Sequence, residues 1–327
     1  MYLKDEKFAL WADFIERDYL DNEFKTLIEK GIINGATSNP AIFKNAILTS
    51  AAYKKQLSEL EGLDAKAKYE AVAIFDIQKA ADILRPLYDA DDDGYVSIEV
   101  DPMLCDDASA TIAEGIRLHK AIARPNVMIK VPATDAGYVA MKALVQEGIA
   151  VNATLIFSKE QALSCALAFA EGQKEGGTSV DTVISVFVSR IDRAMDGELV
   201  EKGITPSLAG NYNAAAIYSA IEAKGVNRCR TLFASTGVKG DTLRPSYYID
   251  ELLAPHSVNT APVETIDAFV QGGDRAVKLP IAGSVIEEHF KKIADAGIDF
   301  DAVVAKQIED GLEAFKEAFR EILSELE

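Results

Sequence analysis

Asn126-Val127-Met128-Ile129-Lys130-Val131-Pro132 is a short apolar segment with a single lysine inside it. A segment of this length, without polar alternation, is typical of a strand that is buried on both faces. Burial disfavours the charged form of an ammonium group, and a neutral lysine amine can attack a carbonyl and form a Schiff base. The alternative is a lysine near a strand end that extends its side chain to water. The segment therefore predicts a buried strand and makes Lys130 a candidate nucleophile.

Short apolar segments like this one alternate with longer helical stretches along the whole chain. The segments predicted as strands are Ala9–Phe14, Ile33–Ser38, Tyr95–Asp101, Val127–Pro132, Ala150–Thr154, Thr182–Ser189, Arg230–Ser235 and Ser257–Thr260. Continuously apolar strands that alternate with helices indicate a parallel sheet covered on both faces. Eight such units close a barrel, so the predicted fold class is α/β, a (β/α)8 TIM barrel. A doubly wound open sheet is the alternative, but no GxGxxG motif follows the first strand.

Two regions are longer than a minimal barrel requires. Residues 41–86 hold enough sequence for extra helices after the second strand, and a long tail follows Pro280. In the tail, apolar residues recur every three or four positions from Val304 to Leu323, which predicts one apolar face of a helix. We expect this face to pack on the barrel, and not to form a lid or a dimer contact. No linker is evident, so residues 1–327 are expected to form one domain.

The composition limits the classes of partner. The 327 residues are 49% hydrophobic and 26% charged, and the net charge of −18 arises from 34 Lys+Arg and 52 Asp+Glu. This negative field repels phosphate backbones and anionic lipids, so we expect no nucleic acid and no membrane partner. The beginning of the chain lacks the apolar segment of a signal peptide, and the three cysteines form no CxxC motif. Both features favour a cytoplasmic location.

The sequence does not indicate a metal site. The three histidines are scattered without an HxxxH or HExxH spacing. Asp89–Gly94 begins like a calcium-binding loop, but Val100 occupies the position that requires a bidentate glutamate. We interpret this segment as an acidic surface turn.

Polar side chains recur where the predicted strands end, which is where TIM barrels place their functional residues. These residues are Asp13, Asn39, Glu99, Lys130, Asn152, Thr154, Ser185, Arg190, Ser235 and Lys239. A polar residue in an apolar strand costs free energy unless it is paired. Polar residues at the ends of seven predicted strands therefore indicate a binding or catalytic site.

The residues nearest Lys130 suit Schiff-base chemistry. Lys130 can attack a ketose carbonyl, and Glu99 and Thr154, one strand away on either side, can transfer protons through a bound water. Asp13 can accept the proton of a sugar hydroxyl when the adjacent carbon–carbon bond breaks.

The other residues suit substrate binding. Asn39 and Asn152 can orient substrate hydroxyls, and Arg190, Lys239 and Ser235 can bind a phosphate. The alternative for Arg190 is a salt bridge with one of the two aspartates that follow it in the next helix.

Five segments occur in an order that resembles the transaldolase family. They are Gly35–Pro40, Ser97–Asp101, Met128–Thr134, Val151–Ser158 and Ser185–Arg190. The resemblance covers the chain from about Asp13 to Lys239, and it is specific because the five segments occur together. It implies a TIM barrel that forms a Schiff base without a cofactor.

The resemblance also implies a role for each matching residue. Lys130 would form the Schiff base, Glu99 and Thr154 would hold the catalytic water, and Asp13 would be the acid and base. Asn39 and Asn152 would position the dihydroxyacetone unit within a substrate site that includes Ser185 and Phe187. Arg190 and Ser235 would bind the phosphate. The expected reaction moves dihydroxyacetone from sedoheptulose 7-phosphate to glyceraldehyde 3-phosphate. The products are erythrose 4-phosphate and fructose 6-phosphate, in the non-oxidative pentose phosphate pathway. The expected state is a monomer or homodimer.

Two departures from related sequences bear on mechanism. Many members carry Ser-Phe-Arg after the seventh strand, whereas this chain has Ser235-Thr236-Gly237-Val238-Lys239, so Lys239 is expected to replace the arginine. Related fructose 6-phosphate aldolases place a tyrosine where this chain has Phe187, which lacks a proton donor. Phe187 therefore favours transfer over cleavage. The alternatives are a plain class I aldolase and a barrel that binds a sugar phosphate without turnover.

Overall fold

Eight parallel strands form a closed barrel in the order of the sequence, and the computed structural model describes all residues, Met1–Glu327. The strands are β1 (Ala9–Ala12), β2 (Gly35–Thr37), β3 (Val96–Glu99), β4 (Val127–Pro132), β5 (Val151–Ile156), β6 (Thr182–Phe187), β7 (Cys229–Ala234) and β8 (Ser257–Ala261). Every strand residue is buried, because side chains alternate between the barrel interior and the surrounding helices. The predicted α/β TIM barrel is confirmed.

Helices connect the strands and cover the outside of the barrel. They are α1 (Arg17–Asp21), α2 (Glu23–Glu29), α3 (Pro40–Thr49), α4 (Lys54–Glu59), α5 (Ala65–Asp89), α6 (Ala108–Ile122), α7 (Asp135–Gln146), α8 (Lys159–Gly176), α9 (Ser189–Glu201), α10 (Ala209–Lys224), α11 (Tyr247–Glu251), α12 (Val263–Gly272), α13 (Gly283–Asp295) and α14 (Phe300–Leu326). The extra sequence after β2 forms α3, α4 and α5, and the long tail forms α13 and α14. No helix has the length and apolar character needed to cross a membrane.

The strand register places the central polar residues at one level of the barrel. Glu99 on β3 lies opposite Lys130 on β4, and Lys130 lies opposite Asn152 on β5. Residues in register on neighbouring strands point to the same face of the sheet. The barrel therefore brings these three side chains together in its interior.

An irregularity in β5 extends this strand beyond its predicted end at Thr154. The register between β5 and β6 shifts between Ala153 and Ile156, and Leu155 has a left-handed backbone conformation with φ of 60°. Such bulges redirect side chains and are common beside active sites. Thr154 lies within this irregular segment and pairs in register with Pro132 on β4.

Trp11 fills the lower interior of the barrel and requires a glycine on the neighbouring strand. Trp11 on β1 is fully buried and lies in register with Gly35 on β2. A Cβ atom added to Gly35 would lie 2.6 Å from the Trp11 indole ring. Only a residue without a side chain fits there unless the ring moves.

The interpretation of Asp89–Gly94 as a surface turn is wrong for Asp93. This carboxylate is buried and accepts hydrogen bonds from Trp11 Nε1 at 2.7 Å and from Arg230 Nη2 at 2.8 Å. Buried charges are stable when they are paired and hydrogen-bonded. The partners of Asp93 lie on β1 and β7, far from it in the sequence, so the acidic segment alone could not predict them.

Helix α14 packs along its apolar face, as predicted from its periodicity. Val304, Phe315, Phe319 and Ile322 are buried, and the helix contacts α3, α5, α9 and β5. Since these contacts span elements from both halves of the chain, the tail is part of the packed structure around the barrel.

We predict that Gly35→Ala lowers the free energy of unfolding by about 1–3 kcal/mol, because the added methyl group overpacks the barrel beside Trp11. The matched control is Gly197→Ala in α9, where an added Cβ meets no atom within 4 Å. This control should be neutral or slightly stabilising, since alanine favours a helix. Thermal and urea unfolding measure both effects. Equal stability of the two variants would contradict the packing argument.

Candidate active site

A cavity of about 370 Å³ opens where the strands end, and it collects most of the predicted site residues. Those that line it are Asp13, Asn39, Lys130, Thr154, Ser185, Phe187, Arg190, Ser235 and Lys239. Glu99 and Asn152 do not line it but contact residues that do. The structure therefore brings together side chains from the ends of many strands, as a TIM-barrel site requires.

Lys130 is buried inside the barrel with its amine directed into the site. Its side chain is 6% exposed, and Nζ donates a hydrogen bond to the Ser38 carbonyl oxygen at 3.2 Å. Nζ also lies 3.7 Å from Glu99 Oε2 and 5.7 Å from the centre of the Phe315 ring. The predicted buried strand and buried amine are confirmed, and the alternative of a lysine extending to water is wrong.

Glu99 is buried beside Lys130 and has unused hydrogen-bonding capacity. Neither of its carboxyl oxygens has a hydrogen-bond partner within the protein, and the same is true of Thr154 Oγ1. Burial raises the pKa of Glu99 to about 7, although the Lys130 charge opposes this rise. A carboxyl group with such a pKa can both donate and accept a proton near neutral pH.

Asp13 is held at the end of β1 by a chain of hydroxyl groups. Thr37 Oγ1 donates to Asp13 Oδ1 at 2.7 Å, and Thr260 Oγ1 lies 2.7 Å from Thr37 Oγ1. Because the Thr37 proton is directed at Asp13, Thr260 is the donor in the second pair. Burial raises the pKa of Asp13, whereas Lys130 and the Thr37 hydrogen bond lower it. The chain fixes the orientation of this carboxylate in the cavity.

The two predicted asparagines occupy different positions. Asn152 is fully buried beneath the cavity, where its amide nitrogen donates to Ser97 Oγ at 3.2 Å and its oxygen accepts from Ser185 Oγ at 2.6 Å. Asn39 lines the cavity, and its oxygen caps α3 by accepting from the Ile42 N–H at 3.0 Å. Asn39 therefore has its amide N–H groups free for a ligand, while Asn152 orients Ser185.

Arg190 lines the same cavity and has no acidic partner within salt-bridge distance. Its guanidinium group lies 5.2 Å from the centre of the Phe187 ring. The alternative prediction of a salt bridge is wrong, because both candidate aspartates are engaged elsewhere. Asp192 accepts from the Gly210 N–H and the Tyr248 hydroxyl, and Asp196 accepts from Ser207.

Ser235 and Lys239 lie beside Arg190 on the loop after β7. Ser235 has a left-handed backbone with φ of 55°, which places its Oγ 3.1 Å from Ser189 Oγ. Lys239 is exposed and lines the cavity. The loop therefore adds a hydroxyl and a cation to the wall that holds Arg190.

Sequence analysis missed several residues of the cavity wall. Arg193 lies three positions after Arg190, a spacing that could have indicated it, and its Nη1 donates to Ser189 Oγ at 2.7 Å. Thr260 lies next to the end of β8, the strand to which no polar residue was assigned. Ala314 and Phe315 come from α14, so the expectation that this helix only packs on the barrel is incomplete.

No group of three or more His, Cys, Asp or Glu side chains is arranged to hold a metal ion.

The chain is similar to known proteins along nearly its whole length. Residues 10–326 match the family model described as Transaldolase/Fructose-6-phosphate aldolase. The chain is 45% identical to a protein named Transaldolase from Campylobacter jejuni, over 98% of this chain and 100% of that protein. It is 44% identical to a protein named Transaldolase from Helicobacter pylori, over 98% of this chain and 99% of that protein.

We predict that Glu99 titrates with an apparent pKa of about 7. This pKa is above the ordinary glutamate value of 4.5, so between these two pH values the folded chain binds a proton that the unfolded chain has lost. The stability that this proton contributes is therefore lost as the pH rises from about 4.5 through about 7. Carbon NMR of side-chain carboxyl groups should show one glutamate signal that titrates in this range and is absent in Glu99→Gln.

The control for this titration is Lys130→Met. Since the Lys130 charge lowers the pKa of Glu99, its removal should raise that pKa further. A glutamate signal that titrates below about pH 5, like that of an ordinary side chain, would contradict the prediction.

Proposed function

This chain belongs to the transaldolase/fructose-6-phosphate aldolase family, and we propose that Lys130 is the Schiff-base nucleophile of its reaction. The chain is an enzyme that transfers a dihydroxyacetone unit from sedoheptulose 7-phosphate to glyceraldehyde 3-phosphate. The observation that carries the assignment of Lys130 is its amine, which is buried inside the barrel 3.7 Å from Glu99 Oε2 and borders the cavity.

The first steps form the imine. Lys130 Nζ attacks the ketose carbonyl carbon to give a carbinolamine, which loses water to become the imine. Glu99 and Thr154 transfer the protons of these steps through a water molecule bound between them. Their free hydrogen-bonding capacity and the raised pKa of Glu99 support this role.

Asp13 then acts on the substrate hydroxyl. As an ionised carboxylate, it takes the proton of the hydroxyl next to the breaking carbon–carbon bond, and an aldehyde leaves. The electrons of the broken bond pass to the imine, which becomes an enamine on Lys130. Burial raises the pKa of Asp13 and so favours its neutral form, whereas the Lys130 charge and the Thr37 hydrogen bond lower this pKa and favour the carboxylate.

The remaining site residues hold the substrate. Asn39, Ser185 and Asn152 position the dihydroxyacetone unit, with Asn152 acting through its hydrogen bond to Ser185. Arg190, Ser235 and Lys239 bind the phosphate at the opposite end. Guanidinium groups bind phosphate oxygens in a bidentate manner, and an arginine without a carboxylate partner is free to do so.

Phe187 favours transfer over cleavage. Its ring lies against Phe157 at 5.3 Å and beneath Arg190 at 5.2 Å, and it offers no proton to the enamine. The enamine therefore persists until an acceptor aldehyde arrives. Addition to the acceptor and hydrolysis of the imine then release the new ketose phosphate.

The location and assembly of the enzyme form a separate part of this proposal. We propose that the chain acts in the cytoplasm as a single-domain monomer or homodimer, without a cofactor. The packing of α14 on elements from both halves of the chain supports a single domain, and three buried free cysteines suit a reducing compartment.

We predict that Lys130→Ala lowers the rate of transfer at least about 10⁴-fold, as expected for the loss of a covalent nucleophile. The fold should survive, because without the Lys130 charge the pKa of Glu99 rises further and Glu99 becomes neutral instead of remaining an unpaired buried charge. Lys291→Ala is the matched control, since Lys291 is 72% exposed on α13. A coupled assay for erythrose 4-phosphate measures transfer, and circular dichroism measures folding. Transfer that survives in Lys130→Ala would refute the assignment, and unfolding would contradict the expected tolerance of the site.

We predict that Phe187→Tyr raises cleavage of fructose 6-phosphate relative to transfer. The added hydroxyl would supply the proton that releases the three-carbon unit without an acceptor. Product formation with and without glyceraldehyde 3-phosphate gives the ratio. Phe157→Tyr, on the neighbouring ring, is the control. An unchanged ratio in Phe187→Tyr would count against this role of Phe187.

A further inference from the structure

Three cationic side chains lie on one wall of the cavity without an acidic partner. They are Arg190, Arg193 and Lys239, and no carboxylate oxygen lies within 4 Å of their nitrogen atoms. The nearby Asp192 and Asp196 are committed to hydrogen bonds with α10, α11 and Ser207. This arrangement is unusual in a chain with a net charge of −18. A group of unpaired cations indicates a site for an anion.

The two arginines are arranged as a pair. They lie three residues apart on α9, a spacing that places both side chains on one face of the helix. Burial, and after it the nearby charge of Arg193, lower the pKa of Arg190, because two like charges placed close together disfavour each other. A bound anion would remove this repulsion.

Each guanidinium group is also held by a different contact. Arg193 Nη1 donates to Ser189 Oγ at 2.7 Å, and this hydroxyl lies 3.1 Å from Ser235 Oγ. Arg190 lies over the Phe187 ring. Lys239 is exposed, as Arg193 is, but it makes no hydrogen bond or salt bridge to another side chain, so no protein contact fixes its amine in the cavity.

We propose that Arg193 is the second guanidinium of the phosphate site and binds the substrate phosphate together with Arg190. Lys239 then contributes less than Arg193, because no protein contact holds its amine and binding must restrict a freely moving side chain. The proposal rests on the proposed function, since it assumes a phosphorylated substrate in this cavity. It makes Arg193 a specificity-determining residue that selects phosphorylated over unphosphorylated ketoses.

The test compares Arg193→Gln with Lys239→Gln, which removes one charge from the same wall. We expect Arg193→Gln to raise the KM for fructose 6-phosphate and the inhibition constant of inorganic phosphate by about ten- to a hundredfold, the range of a charge-assisted hydrogen bond. Lys239→Gln should raise both constants less than Arg193→Gln does, because no protein contact holds the Lys239 amine toward the phosphate. Turnover of unphosphorylated fructose should fall much less than that of fructose 6-phosphate in Arg193→Gln, because fructose carries no phosphate for a guanidinium group to bind.

Arg193→Lys separates charge from shape. It keeps the positive charge but loses the planar fork, so we expect only partial recovery of phosphate affinity. Full recovery would show that any cation suffices and would overturn the assignment of a guanidinium site. Arg193→Gln with unchanged constants, a larger loss in Lys239→Gln, or a parallel loss of fructose turnover would overturn it as well.

Calorimetric titration with inorganic phosphate distinguishes this proposal from the proposed function. It measures anion binding to the native chain and to each variant without any turnover. If the native chain binds phosphate through Arg193 but transfers nothing from fructose 6-phosphate, the proposed function fails and the phosphate site stands. If the native chain transfers normally and Arg193→Gln binds phosphate like the native chain, only the phosphate assignment fails.

Discussion

The close approach of one ammonium group and one carboxyl group inside a closed barrel is the constraint on which the site depends. Lys130 Nζ and Glu99 Oε2 lie 3.7 Å apart, and both side chains are almost fully buried. Removing two charges from water costs several kcal/mol per ion unless they are paired. The barrel holds them together because β3 and β4 are adjacent and in register. The same burial raises the pKa of Glu99 to about 7, within the range useful for proton transfer.

The two ends of the barrel serve different purposes. At the lower end, Trp11, Gly35, Asp93 and Arg230 fill and close the interior, and their hydrogen-bonding groups are paired with each other. At the upper end, polar atoms of Glu99 and Thr154 lack hydrogen-bond partners within the protein, and Arg190 and Arg193 lack carboxylate partners. Stability therefore resides at one end and chemistry at the other, as is general for this fold.

Much of the fold followed from local patterns, and the reasons are visible in particular elements. The predicted bounds of Val127–Pro132 agree with β4 because this segment is apolar throughout and ends in proline. Thr154 was predicted as a strand end, whereas β5 continues to Ile156 through a bulge that the β-branched residues there did not reveal. Asp93 was misjudged because its partners lie 82 and 137 residues away. Phe315 was missed for the same reason, since only the folded chain brings α14 over Lys130.

Reduction with borohydride in the presence of fructose 6-phosphate, followed by peptide mass spectrometry, tests the central claim most directly. It converts an imine into a stable amine and reports which lysine carried the sugar. The account predicts one adduct, on Lys130, that disappears when Lys130 is replaced by alanine. An adduct on another lysine, or no adduct in a chain that still transfers dihydroxyacetone, would contradict it.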